Sequence, residues 1–115
     1  MRPHEKLDVW KKSIELSEKI YAATKGFPKE ELYGLSSQMR RAVISVAANI
    51  AEGAARQTKT ELRQFLFIAR GSLSELETEL QISLRLGYIQ TDALRVIDSL
   101  CADVGAMLTA FIKKL

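Results

Sequence analysis

Apolar residues recur at alternating intervals of three and four along most of this chain, and no other feature constrains its fold as strongly. The pattern is most regular near the C-terminus, in the series Leu94, Ile97, Cys101, Val104, Leu108, Phe111 and Leu115. Such spacing places these side chains on one face of an α-helix, as in the seam of a helical bundle. No stretch of useful length shows strand-like alternation, so the sequence predicts an all-α protein.

Turn and capping residues divide the pattern into four predicted helices. The first covers roughly residues 7–25, before Gly26-Phe27-Pro28, and its predicted inner stripe is Leu7, Trp10, Ile14, Ser17 and Tyr21. The second covers roughly residues 29–55, unless Gly34 separates its first turn from a helix that starts near Ser36. Thr58 and Glu61 match a capping box at the start of the third helix, Gly87 is suited to end it, and Thr91 opens the fourth.

Short loops make consecutive helices antiparallel, so residues 1–115 are predicted to form one domain, an antiparallel up-and-down four-helix bundle. The second and third helices fit together if facing positions add up to 115, because two apolar stripes then coincide. In this register small residues face large ones, as with Gly53 and Leu62, which is how packed layers interdigitate. The same register puts Arg40 opposite Glu75.

Several polar residues fall near this predicted contact. Asn49 would lie buried against Leu66, and Asn49, Glu52, Arg56 and Arg63 would form one polar cluster at the end of the bundle. We interpret the cluster as structural, because Asn in a bundle seam fixes the register and Glu52 and Arg56 are spaced for a helical ion pair. On the third helix, Glu75, Glu77 and Glu79 are interpreted as solvated charge or as salt bridges between subunits.

A second face of the third helix carries apolar and small residues that one bundle core does not need, namely Phe67, Gly71, Ser74, Thr78 and Ile82. The second helix has a similar face with Ala47, Ala51 and Ala54 beside Ile44. Apolar surface outside a core is typical of protein contacts, so Phe67, Gly71 and Ser74 are the predicted interface of a homo-oligomer. The alternative is a monomer with scattered apolar surface residues.

Composition argues against catalysis. The chain of 115 residues has one cysteine and one histidine, so it lacks the residues for a disulfide, a Ser-His-Asp triad or a multi-histidine metal site. We therefore expect no enzyme, no metal and no cofactor. Its longest apolar run, from Ala42 to Ala51, is far below the ~20 residues of a membrane span, and the N-terminus lacks an apolar signal-peptide core. A cytoplasmic protein without membrane contact is the expectation.

Positive charge is concentrated in the middle of the chain. The net charge is +3, and residues 40–70 alone carry six Arg and Lys against two Glu. Arg41, Lys59 and Arg70 are the predicted nucleic-acid-binding residues, because other arginines in this segment have a Glu within reach. We expect no aromatic side chain to accompany these charges on the surface, and therefore contact with phosphates rather than base stacking.

Three motifs carry a family resemblance: "FPKEELYGL" (Phe27–Leu35), "SVAANIAEG" (Ser45–Gly53) and "ARGSLSEL" (Ala69–Leu76). With them the chain, from about Leu7 to Lys113, resembles the four-helix bundle proteins encoded in intervening sequences of bacterial large-subunit ribosomal RNA genes. The accessory variability determinant of diversity-generating retroelements is similar. The resemblance implies a ring-like homopentamer with a basic surface and, in the retroelement branch, binding to nucleic acid and to a reverse transcriptase.

Two functions remain open at this point. The first is a non-catalytic oligomeric scaffold that binds RNA, DNA or a protein partner. The second is a purely structural homo-oligomer with no role in nucleic-acid binding. Salt-dependent binding to RNA and DNA separates the two.

Overall fold

Four α-helices make up most of the chain in the computed structural model, which describes every residue from Met1 to Leu115. They are α1 (Asp8–Thr24), α2 (Leu35–Ala54), α3 (Lys59–Arg85) and α4 (Thr91–Lys114), with short 3-10 turns at Pro3–Lys6 and Lys29–Glu31. Each helix packs against two others, so that α1 and α3 both contact α2 and α4. The fold is the antiparallel up-and-down four-helix bundle that the periodicity predicts.

All four helices contribute to one hydrophobic core. Its fully buried side chains include Leu16 of α1, Met39 of α2, Leu76 of α3 and Leu108 of α4. The bundle measures 43 × 24 × 23 Å. None of its helices combines the length and the apolar character needed to cross a membrane.

The buried face of α1 differs from the predicted one. The structure buries Val9, Ser13, Leu16, Ile20 and Thr24, whereas Ile14 and Tyr21 of the predicted stripe are each 37% exposed. The Ser13 hydroxyl donates to the Trp10 carbonyl at 2.6 Å, and the Thr24 hydroxyl donates to the Ile20 carbonyl at 2.8 Å. Because hydroxyls bonded within their own helix need no other partner, Ser13 and Thr24 enter the core. A stripe chosen by counting apolar residues is therefore displaced by one position.

Gly34 separates α2 from the turn before it. Of the two predicted starts for this helix, the one near Ser36 is therefore confirmed, and the one at residue 29 is wrong. The Glu31 carboxylate accepts hydrogen bonds from the Leu35 backbone N–H at 3.1 Å and from the Tyr88 hydroxyl at 3.0 Å. A Cβ atom at Gly34 would lie 2.7 Å from the same carboxylate. Glu31 thus caps the first turn of α2 and fastens it to the α3–α4 loop, a role that sequence reasoning missed.

Both predicted ends of α3 are confirmed. The Thr58 side chain accepts a hydrogen bond from the Glu61 backbone N–H at 3.2 Å and donates one to the Glu61 carboxylate at 2.9 Å. The carboxylate therefore reaches the hydroxyl of the cap rather than its backbone N–H. At the other end Gly87 has φ +79°, and the Tyr88 N–H bonds to the Ser83 carbonyl at 2.9 Å, which is the Schellman arrangement.

The predicted register of α2 and α3 is confirmed near their connecting loop. A Cβ atom at Gly53 would lie 3.0 Å from Leu62 Cδ1 and 2.9 Å from Phe65 Cβ. Further along, the Ser45 and Ser72 hydroxyls are hydrogen-bonded at 2.8 Å, within two residues of the predicted pairing. Small residues in α2 thus let the two helices approach each other closely.

Candidate nucleic-acid interface

A basic pocket of about 430 Å³ opens on the surface where α1, α2 and the segment between them meet. Its lining consists of two arginines, two tyrosines, one serine and two aliphatic residues: Tyr21, Leu32, Tyr33, Ser37, Arg40, Arg41 and Ile44. None of these side chains is acidic. We call this set the α1–α2 pocket. It combines positive charge with aromatic surface, which is the chemistry that nucleotides require.

Arg40 is held in place at the inner wall of the pocket. Its Nε donates to the Thr24 hydroxyl at 2.9 Å, and that hydroxyl donates in turn to the Ile20 carbonyl. The guanidinium also lies over the ring of Tyr21, with 4.9 Å between Cζ and the ring centroid. The predicted pairing of Arg40 with Glu75 is wrong, because the side chain points toward α1 and not toward α3.

The pocket's second arginine and second tyrosine stand at its open rim. Arg41 is exposed and takes part in none of the ion pairs of the structure. Tyr33 is 93% exposed, an unusual position for so large an aromatic side chain. Because Tyr21 and Tyr33 precede the arginine-rich segment in sequence, a search for aromatics between the charges could not find them. The expectation that no aromatic accompanies the positive charge is wrong at this pocket.

The three residues predicted to bind nucleic acid do not form one patch. Arg41 lies in the α1–α2 pocket, while Lys59 is the first residue of α3, beyond the other end of α2. The fourteen residues from Arg41 to Ala54 alone span about 20 Å of helix. Arg70 lies over the ring of Phe67 on its own helix, at 4.9 Å. The neighbour of Arg41 in the pocket is instead Arg40.

The predicted polar cluster is divided in the structure. The Arg56 guanidinium pairs with the Glu52 carboxylate at 3.1 Å, as predicted. The half-buried Asn49 instead donates through Nδ2 to the Ser45 carbonyl at 2.8 Å and to its hydroxyl at 3.0 Å. Arg63 joins no ion pair. Because the amide group of Asn49 has its hydrogen-bond partners within its own helix, it does not need the charged pair of Glu52 and Arg56.

The outer face of α3, defined by Phe67, Gly71, Ser74, Thr78 and Ile82, lies open in the single chain. Phe67 and Ile82 are each 45% exposed, and a Cβ atom at Gly71 would meet nothing within 4 Å. The similar face expected on α2 is only partly free, because Ala47 is buried in the bundle whereas Ile44 is 48% exposed. The role of Phe67, Gly71 and Ser74 as a subunit interface stays a prediction.

Of the three acidic residues expected to be solvated on α3, Glu75 and Glu77 are exposed and Glu79 is not. Glu79 is buried, and its Oε1 atom has no hydrogen-bond partner. Burial, together with the nearby charge of Glu75, raises the pKa of Glu79 to about 7. Burial and the charge of Asp98 raise the pKa of Glu77 in the same direction.

The chain's only thiol offers no nucleophile. Cys101 is fully buried in α4, as a small core residue would be. Burial raises the pKa of its thiol to about 12, whereas reactive cysteines have a lowered pKa and solvent access. No cluster of three or more His, Cys, Asp and Glu side chains is placed to hold a metal ion.

Comparison with known proteins shows similarity to one protein family and to solved structures. A family model described as "23S rRNA-intervening sequence protein" matches residues 5–110. The crystal structure of a protein of unknown function from the S23 ribosomal protein family of Bacteroides thetaiotaomicron is similar, with a TM-score of 0.85 and 26% sequence identity. The match covers 91% of this chain and 98% of that one. No functionally curated protein matches significantly.

Proposed function

Because this chain belongs to the 23S rRNA-intervening sequence protein family, we propose that it is a non-catalytic, oligomeric helical bundle that binds the phosphate backbone of nucleic acid. The α1–α2 pocket carries this proposal. It presents Arg40 and Arg41 side by side, without an acidic residue in its lining and without an ion pair to either arginine.

An arginine that is free of carboxylate partners binds phosphate with better geometry than a flexible lysine does. Its planar guanidinium offers several N–H donors in a fixed arrangement that fits phosphate oxygens. Arg40 loses little conformational freedom on binding, since Thr24 and Tyr21 already hold its side chain. The anchoring uses Nε and the ring face, which leaves the two terminal nitrogens of Arg40 directed to other partners.

Repetition would strengthen such a site. The resemblance to ring-forming four-helix bundle proteins suggests five copies, and the exposed apolar face of α3 supports self-association. Several pockets on one assembly convert weak single contacts into higher avidity. Light scattering coupled to size exclusion is expected to give a mass of about five chains. A tetramer would change only the stoichiometry, whereas a monomer at micromolar concentration would contradict the oligomer.

Fluorescence anisotropy with duplex DNA and structured RNA tests the binding. Affinity should fall with salt, with a slope of about −0.9 in log affinity per phosphate contact on duplex DNA. The double change Arg40→Gln and Arg41→Gln should weaken binding by about tenfold or more, since charged hydrogen bonds typically contribute about 1.5–3 kcal/mol each. Lys113→Gln and Lys114→Gln, at the exposed end of α4, remove the same charge elsewhere and serve as the control.

A second candidate is a purely structural homo-oligomer, which the apolar outer face of α3 favours independently of the pocket. The two candidates give opposite results in the same experiment. No binding at low salt would leave the structural oligomer as the function of the chain. Equal losses from the pocket variant and the α4 control would instead place the phosphate contacts outside the pocket. The triple change of Arg41, Lys59 and Arg70 to Glu tests the wider set predicted from sequence.

A further inference from the structure

We propose that the α1–α2 pocket takes an unpaired nucleotide, with its base against Tyr33 and its phosphate on Arg40 and Arg41. This inference rests on the proposed function and narrows it, because a site that contacts phosphates alone would bind duplex and single strands alike. The ligand class is a nucleotide within a single-stranded segment of RNA or DNA.

The inner wall supplies the phosphate half of the site. The Thr24 hydroxyl gives its proton to the Ile20 carbonyl, so its oxygen faces Arg40 as an acceptor and fixes Nε at 2.9 Å. Tyr21 supports the guanidinium from below, at 4.9 Å. A guanidinium held at Nε and on one face presents its remaining N–H groups outward, where Arg41 adds a second positive charge.

The rim supplies the base half of the site. Tyr33 is 93% exposed and therefore gains almost nothing from packing within the chain, although its ring is a large apolar surface. Leu32 and Ile44 beside it are 49% and 48% exposed and add apolar walls to the same pocket. A nucleobase stacked on Tyr33 would cover this surface, and base–aromatic stacking tolerates any base because every base has a π-face.

The combination distinguishes an unpaired nucleotide from a duplex. In a duplex both faces of each base are already stacked on neighbouring base pairs, so the phosphates can reach the arginines but no base can reach Tyr33. The pocket volume of about 430 Å³ lies within the usual range for small-ligand sites. One nucleotide of a flexible strand can therefore occupy it, while the adjoining strand follows the surface.

The test compares three ligands of equal length by fluorescence anisotropy at fixed salt: an unstructured RNA, the DNA of the same sequence, and the DNA duplex. Tyr33→Ala is expected to weaken binding of both single strands by about five- to a hundredfold and to leave duplex binding unchanged. Tyr33→Phe, which keeps the ring, should restore the single-strand affinity. Since Tyr33 is almost fully exposed, neither change is expected to disturb the fold.

The outcomes separate this inference from the proposed function. Absence of binding to all three ligands at low salt contradicts the proposed function itself. Duplex binding equal to single-strand binding, with no effect of Tyr33→Ala, overturns only the unpaired nucleotide. A changed oligomer mass for Tyr33→Ala would also overturn it, because the pocket would then be a face between copies of the chain. Tighter binding of either single strand than of the duplex, lost in Tyr33→Ala, supports the inference, and a difference between the RNA and DNA strands identifies the preferred nucleic acid.

Discussion

Two glycines within helices of this bundle meet opposite surroundings. Gly53 of α2 is enclosed by α3, where a Cβ atom would come within 2.9 Å of Phe65 Cβ and 3.3 Å of the Leu62 carbonyl. Gly71 of α3 points away from the bundle, and a Cβ atom there would meet nothing within 4 Å. The first glycine is required by the α2–α3 contact. The second has no explanation within a single chain.

The two glycines differ in whether packing within the chain offsets their cost to helix stability. Glycine in a helix costs about 1 kcal/mol relative to alanine. At Gly53 the close approach of two helices offsets this cost through packing inside the chain. At Gly71 no contact within the chain offsets this cost. Phe67 and Ile82, on the same face, are likewise left exposed by the single chain. Packing within the chain therefore explains the glycine of the α2–α3 contact but not the glycine on the outer face of α3.

The largest effect is expected from Gly53→Ala. The new Cβ atom cannot be accommodated without moving Phe65 or the α3 backbone, and overpacking of this kind costs about 1–3 kcal/mol, which exceeds the gain in helix propensity. The free energy of unfolding, measured by urea denaturation, should therefore fall. Gly71→Ala is the matched control and should raise it by up to about 1 kcal/mol, because its Cβ atom meets nothing within 4 Å. A loss of equal size in both variants would contradict the comparison.

The buried carboxyl of Glu79 in α3 provides a second test of the bundle, through its charge. Its folded-state pKa of about 7 lies above the ordinary value of 4.5, so the folded chain holds a proton that the unfolded chain releases. Stability from this group is therefore present below pH 4.5 and is lost as the pH rises to about 7. Glu79→Gln should remove that loss and stabilise the chain by about 1–2 kcal/mol at pH 8, with no gain at pH 4.

The control for this change is Glu75→Gln. It removes the neighbouring charge that helps to raise the pKa of Glu79 and should leave the burial contribution in place. The pH dependence of unfolding should then shrink without disappearing. If the wild-type chain and Glu79→Gln show the same pH profile between pH 4 and pH 8, the carboxyl is not held neutral by the bundle.

The sequence predicted what depends on spacing and backbone chemistry. The opposition of Gly53 and Leu62, the Thr58 cap and the Gly87 terminus all follow from local rules, and the structure confirms them. Prediction from the sequence failed where a side chain can bond to partners on more than one helix. Arg40 bonds to Thr24 rather than facing Glu75, and the register of two helices contains no information about a third.

The candidate site was missed in part for the same reason. Arg41 was identified from charge, but Tyr21 and Tyr33 come from α1 and from the segment before α2, and only the packed bundle brings them together. The buried Ser13 and Thr24 moved the face of α1 by one position, and this shift also placed the Thr24 hydroxyl within reach of Arg40. A count of apolar letters cannot detect a hydroxyl that its own helix satisfies.

The smallest change in the fold is expected from Gly71→Leu, and its sign is informative. Leucine favours a helix more than glycine does, and the space around Gly71 is open, so the isolated bundle should gain about 0.5–1 kcal/mol in its free energy of unfolding. If copies of the chain meet at this face, the same side chain should weaken the assembly, because a packed interface has no room for it. Light scattering should then show a reduced mass for Gly71→Leu and an unchanged mass for Gly71→Ala, which gains helix propensity with less bulk. An unchanged mass for both variants would place the subunit contact elsewhere. Gly71 would then lower the stability of α3 without a compensating contact.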